Sequence, residues 1–214
     1  MKISVITVSI RPHGLEIIQE GLQKQTFKDF EWLVEIGLPG RGHDLNAAYN
    51  RALRRAQGEL VVSLQDYIKI TPDYLAKFWE AYQKEPRTFF TAPVGKVKNK
   101  DYKGEIKWDW RAYEDAKPKW NCWEIDSGSA PLSALKEIGG FDEVLDGHWS
   151  CDNVNVGYRA HLAGYSFGLL HLNPAVAWDH DEFIDHPFRK DFDPKFSNMR
   201  LNLFTSGERL KPLH

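Results

Sequence analysis

Short apolar runs rich in β-branched residues alternate, along the first third of the chain, with stretches whose apolar positions recur every three or four residues. Residues 3–8 form such a run, the pattern of a strand covered on both faces. After a break at Arg11-Pro12-His13-Gly14, the positions Leu15, Ile18 and Leu22 fall on one side of a helix predicted over 15–25. Residues 31–36 read as a second strand. A loop containing Gly37, Pro39, Gly40 and Gly42 leads to a helix marked by Leu45, Tyr49, Ala52 and Leu53, ending near Gly58, and residues 60–64 read as a third strand. This β-α-β-α-β order predicts parallel strands joined by right-handed crossovers. Ligands of such sheets bind beyond the carboxyl ends of the strands, so residues 7–11, 35–37 and 65–67 are expected to converge on one crevice.

Farther on, Thr71-Pro72 offers an N-cap and a first helical proline for a helix reaching about Lys84, and residues 89–94 read as a strand. Residues 95–123 interleave lysines with aromatics without a period, which suggests an irregular segment or hairpin, a candidate lid. Leu132, Leu135 and Ile138 mark a short helix closed by Gly139-Gly140, and Val154, Tyr158 and Leu162 mark another closed by Gly164. Late strands are predicted at 166–172 and 175–178. The residues after Asp179 read as a polar and aromatic tail wrapped on the body.

A chain of 214 residues with 42% hydrophobic and 27% charged residues suits one packed domain spanning 1–214. Its formal net charge of −2 argues against a protein that binds polyanions through its whole surface. Two cysteines, Cys122 and Cys151, supply neither a disulfide framework nor the paired spacing of a structural zinc site, and a reducing, cytoplasmic location is expected. The apolar opening run stops at Arg11, too early for a signal peptide, and no run is long enough for an integral membrane segment.

Neither G-x-G-x-x-G nor G-x-x-x-x-G-K-[ST] occurs, so the two commonest backbone cradles for phosphate are missing. A divalent cation held at a strand end is another way to bind a diphosphate. Asp66, just past the third strand, has that position, although a turn aspartate explains it equally well. Asp152, at the start of a late helix, gains from the helix dipole and can accept a proton; a plain helix cap is the other reading. Asp142 carries the same ambiguity.

Several segments together resemble a known family. Ser4-Val5-Ile6-Thr7, Asn46-Ala47-Ala48-Tyr49-Asn50-Arg51-Ala52-Leu53, Ala56-Gln57-Gly58-Glu59, Gln65-Asp66-Tyr67 and Pro72-Asp73-Tyr74-Leu75 resemble the nucleotide-sugar half of a family 2 glycosyltransferase with the GT-A fold. Gly139-Gly140-Phe141-Asp142-Glu143, Cys151-Asp152-Asn153, Arg159 and Gly164-Tyr165 resemble its acceptor half, and the match covers roughly residues 2 to 172. The resemblance implies an α/β fold of the GT-A nucleotide-diphospho-sugar transferase type, a mixed, mainly parallel sheet flanked by helices. Its nucleotide-sugar half would run to about residue 94, its acceptor half over 95–180 and a tail over 181–214.

The implied activity is metal-dependent transfer of a sugar from a nucleoside diphosphate sugar, a UDP-sugar being favoured, to an acceptor hydroxyl, with inversion. Asp152 falls at the family's catalytic base. Thr7, Ser9, Arg11 and Glu35 fall where the nucleoside is held, and Asn46, Asn50, Gln65 and Asp66 complete the donor side. Trp123, Asp126, Ser127, Gly128 and Asp142 are assigned to the sugar and acceptor pocket. The chain departs from the family pattern: Gln65 and Tyr67 stand at the two usual aspartates of the metal segment, and Cys151 replaces the glutamate before the base. A second ligand for Mn²⁺ or Mg²⁺ is then needed, and His180 of Trp178-Asp179-His180-Asp181 is assigned that role, with His186 in reserve.

Two further function classes fit. One is a non-catalytic module that binds a nucleotide sugar or glycan, suggested by the altered metal segment. The other uses the lysines and aromatics of 95–123 on nucleic acid; a solvated face over core tryptophans explains the same pattern. Candidate acceptors are a glycan, a small molecule, a protein side chain or a modified base of nucleic acid.

Overall fold

A computed structural model describes residues 1–9, 14–37, 44–98, 101–147, 152–171, 175–178 and 194–214. The opening run forms β1 (Ile3–Ser9), whose seven residues are all buried, as expected of a strand covered on both faces. α1 (Leu15–Gln23), β2 (Phe30–Ile36), α2 (Leu45–Arg55) and β3 (Leu60–Ser63) follow in the predicted order. β1 pairs in parallel with β2 on one side and β3 on the other. Its side chains alternate between two cores: Ile3 and Val5 pack with Ile18, Leu22 and Phe78, and Ile6 and Val8 pack with Tyr49, Leu53 and Phe141.

Beyond β3 come β4 (Ile68–Lys69) and α3 (Tyr74–Lys84), then β5 (Thr88–Thr91) and β6 (Val94–Val97). α3 starts later than Thr71-Pro72 suggests, because the Thr71 hydroxyl bonds the Asp73 carboxylate at 2.7 Å and holds Pro72 in a preceding turn. The single strand expected at 89–94 is two strands in two different sheets. Pro93, which has no N–H to give to a ladder, lies at the break, and the Ala92 N–H turns to the Ser127 carbonyl.

The remaining elements are β7 (Lys107–Trp108), β8 (Gly128–Pro131), α4 (Leu132–Glu137), α5 (Asp152–Leu162), β9 (Ser166–Leu169), β10 (Ala175–Trp178) and α6 (Pro194–Thr205). The main sheet has six strands in the order β2-β1-β3-β8-β5-β9, flanked by helices. β8 runs antiparallel to both its neighbours and the other pairs are parallel. A smaller sheet, β4-β10-β6-β7, stands beside the carboxyl ends of β1 and β3 and contains the hairpin foreseen in 95–123. No helix among the described residues is long and apolar enough to cross a membrane.

Two elements escape the periodicity. β8, Gly-Ser-Ala-Pro, has little strand propensity and is a strand because β3 and β5 leave a slot between them. α6 lies in the segment expected as a tail. Its Phe204 is fully buried, and the Arg159 and Arg200 guanidinium groups sit 5.6 and 5.3 Å from the centre of its ring.

Candidate functional site

The ends of β1 and β3 meet as parallel neighbours must. The Ser9 hydroxyl donates to the Asp66 carboxylate at 2.6 Å, and both residues are buried. Tyr67, next in the chain, has a left-handed backbone with φ of 65°, uncommon for an aromatic residue, and its carbonyl accepts the Tyr102 hydroxyl at 2.6 Å. Gly14 passes directly over this turn. A Cβ there would lie 3.0 Å from the Asp66 Cβ and from the Tyr67 ring, so the start of α1 approaches Asp66 as closely as a side-chain-free residue permits.

The segment leading into β8 runs across the same strand ends. The Gln65 N–H donates to the Asp126 carbonyl at 3.2 Å, and the Ser63 hydroxyl donates to the Ile125 carbonyl while bonding the Tyr49 hydroxyl at 2.7 Å. Asp126 and Glu124 face a cleft of about 260 Å³ between this segment and the β6–β7 hairpin, with Lys96, Trp108 and Arg111 on the other walls. Arg111 ion-pairs with Asp109 at 2.7 Å and with Glu124, and its Nε donates to the Cys122 carbonyl. Burial pushes the Asp126 carboxyl above its ordinary range; Lys96 and Arg111 oppose that rise, and the charges of Asp109 and Asp66 add to it. Burial also raises Glu124, followed by the charge of Asp126. Asp126 thus lines the cleft and lies within electrostatic reach of Asp66.

Asp152 opens α5, and its environment is assembled from distant parts of the chain. The Asn46 side-chain amide, in the first turn of α2, donates to Asp152 Oδ1 at 2.7 Å and to Asp146 Oδ1 at 2.9 Å. Asp146 also accepts the backbone N–H groups of Asn46 and Ala47 at 2.8 and 2.9 Å. Burial pushes Asp152 up to about 7; the Asn46 hydrogen bond works against this, and the charges of Asp146 and Asp142 reinforce it. Burial raises Asp146 as well. The adjacent Asn153 amide donates to the Trp123 carbonyl at 3.2 Å. The segment that touches Asp152's neighbour at Trp123 therefore touches Asp66's neighbour at Asp126, and three residues of chain span at most about 11 Å.

The other expected site residues hold the scaffold. Thr7 accepts the Trp32 indole N–H at 3.1 Å between β1 and β2. Glu35 ion-pairs with Arg51 at 2.9 Å and with Arg55, which fastens α2 to β2. Asn50 donates to the Phe141 carbonyl and to Glu143 and accepts the Phe141 N–H at 2.8 Å, stitching α2 to the Gly-Gly-Phe-Asp-Glu loop. Asp142 is buried against Arg200 of α6 at 2.8 Å. Trp123 is a core residue whose indole donates to the Ser129 carbonyl, the Ser127 hydroxyl donates to the Ala92 carbonyl, and Gly128 is the first residue of β8. Arg11, His180 and His186 lie outside the described residues.

Among the described residues no three histidine, cysteine, aspartate or glutamate side chains form a group that could hold a metal ion. Asp66 alone still fits a hard divalent cation, since Mg²⁺ is commonly held by one or two carboxylates together with the phosphates of its substrate. Sequence reading missed Asp146, Glu124 and Arg200. Asp146 and Arg200 act on partners far away in the chain, and no local pattern announces that.

No protein-family model matches the chain, and no curated protein does. Solved structures do. S. aureus TarS 1–349 in complex with UDP-GlcNAc superposes with a TM-score of 0.63 at 16% identity, over 84% of this chain and 59% of that one. The chain therefore spans less than two thirds of that structure. The same fragment in complex with UDP gives a TM-score of 0.62 at 16% identity over 98% of this chain and 76% of that one. TarS 1–349 alone gives 0.64 at 16% identity over 96% and 71%. The six-stranded, mostly parallel sheet flanked by helices is thus the fold of the TarS structures.

Proposed function

We propose that this chain moves a hexosyl group from a nucleoside diphosphate sugar, with UDP as the favoured nucleotide, to an acceptor hydroxyl. The observation that carries the reading is that the residues beside the two carboxylates, Gln65 next to Asp66 and Asn153 next to Asp152, both bond the segment leading into β8, within a fold that in TarS is found with UDP-GlcNAc. Asp152 takes the proton of the acceptor hydroxyl while that oxygen bonds to the anomeric carbon. The bond from that carbon to the diphosphate breaks on the opposite face, which inverts the centre. A carboxyl pKa raised to about 7 suits a general base, because the carboxylate then has real affinity for the proton it takes. The cleft beside Trp108, Glu124 and Asp126 is the place for the sugar or acceptor, with two carboxyl groups and an indole on its walls.

Mn²⁺ or Mg²⁺ would supply charge neutralisation for the departing diphosphate. Asp66 would hold it, with His180 assigned as the second ligand. The cysteine content suits a reducing, cytoplasmic setting. The test is release of nucleotide from a panel of nucleotide sugars with manganese: release that vanishes in both Asp152→Asn and Asp66→Ala supports the transferase. Tight donor binding with no release or transfer in the wild type would leave a sugar-nucleotide binding module, the reading favoured by a metal segment reduced to a single aspartate.

A further inference from the structure

Asn46 was expected beside the donor, yet its amide hydrogens go to two carboxylates. We infer that Asn46 and Asp146 are positioning residues for Asp152: the Asn46 amide aims one Asp152 oxygen, and Asp146, anchored on the first turn of α2, fixes that amide. The inference rests on the reading of Asp152 as the base. Three observations support it. Both side-chain contacts are short, at 2.7 and 2.9 Å, and radiate from a single NH₂ group. Asp146 is itself held by two backbone N–H groups at the positive end of α2, so it cannot swing away. Asn46 is almost fully buried, and its Oδ1 has no hydrogen-bond partner among the described residues. Leaving a buried carbonyl oxygen unpaired works against folding, and a structure that keeps such a group holds the amide for another purpose.

The charges around Asp152 give the arrangement a sign. Asp146 from the 142–147 loop and Asp142, itself paired with Arg200 of α6, oppose its ionisation, and Asp44 at the start of α2 acts on Asp146. The Asn46 hydrogen bond favours ionisation. Removing the amide and removing the neighbouring charge should therefore move the titration of Asp152 in opposite directions.

The experiment follows the carboxyl carbon of Asp152 by ¹³C NMR through a pH titration, in wild type, Asn46→Ala and Asp146→Asn, alongside the pH profile of kcat. The expected result is a higher midpoint in Asn46→Ala and a lower one in Asp146→Asn. The acid limb of kcat should follow each, KM for the donor should stay put, and kcat should fall about 10- to 100-fold in Asn46→Ala. If Asn46→Ala does not fold, Asn46→Ser, which keeps one donor, is expected to show the same direction with a smaller shift. Unmoved midpoints, or a uniform loss of kcat at all pH values, overturn the inference. Midpoints that move as expected while Asp152→Asn keeps full turnover overturn the reading of Asp152 as the base and leave the positioning geometry standing.

Discussion

The two carboxylate sites are built differently. Asp66 sits where neighbouring strands end together, so β1 and β3 place it beside Ser9 by pairing alone. Asp152 depends on contacts between distant parts of the chain, 100 and 106 positions apart from Asn46 to Asp146 and Asp152 and 58 apart from Asp142 to Arg200. A ligand site that follows from sheet register resists substitution around it, and one assembled from loops and a late helix is sensitive to each of its struts. The asymmetry suits the chemistry proposed. Diphosphate binding needs a fixed charge at one point, whereas proton removal needs a carboxylate whose direction and affinity are both set.

The comparison breaks or sharpens under four substitutions. Asp152→Asn is expected to lower transfer by roughly 10²- to 10⁴-fold while donor affinity measured by calorimetry stays unchanged. The same variant has a stability signature. The Asp152 carboxyl is raised to about 7 in the fold, so the native chain holds a proton that the unfolded chain releases near pH 4, and stability falls as pH rises from about 4 to about 7. At pH 8, Asp152→Asn should therefore unfold later than wild type by on the order of 1–3 kcal/mol, and the advantage should vanish near pH 4. The wild-type kcat should fall as pH drops below about 7, where the base is protonated.

Arg200→Ala strips the buried Asp142 of its partner and should lower stability by roughly 3 kcal/mol in denaturant melts. If transfer then falls while nucleotide affinity holds, the late helix supports the acceptor side alone. Asp66→Ala should weaken nucleotide binding in the presence of Mn²⁺ by about 10- to 100-fold, the scale of a lost contact to a charged group. Equal affinity with and without the carboxylate would remove Asp66 from the donor site. The smallest effect is expected for Glu35→Gln. Its arginine partners are largely solvated, so stability should change by no more than about 1 kcal/mol. A loss of nucleotide affinity in that variant would return Glu35 to the nucleoside pocket.

Much of the frame was legible in the chain because period and burial coincide there. β1, β2, α2, β3 and β10 lie where alternating or helical apolar spacing puts them, and the meeting of Ser9 with Asp66 at the ends of β1 and β3 follows from parallel order. β8 was not legible, since four small residues become a strand only when β3 and β5 offer edges to pair with. The break at Pro93 was readable in principle, because a proline cannot continue a ladder, yet the apolar run around it masked the change of sheet. At the site, Asp66 and Asp152 stood out by position in their elements. Asp146 did not, because its partners are backbone amides of a helix far earlier in the chain, and Asn46 and Asn50, which read as donor contacts, bond Asp146, Asp152, Phe141 and Glu143 instead.

The clasp between Arg200 and Asp142 has a bearing on synthesis. The Leu213 N–H also bonds the Lys136 carbonyl, so residues near the carboxyl end brace α4 and the loop after it. A nascent polypeptide emerging from the ribosome would lay down the Ser9–Asp66 corner early, and would wait for α6 before Asp142 meets Arg200. A chain cut short after β9 would then keep the Ser9–Asp66 corner and lack the partner of Asp142.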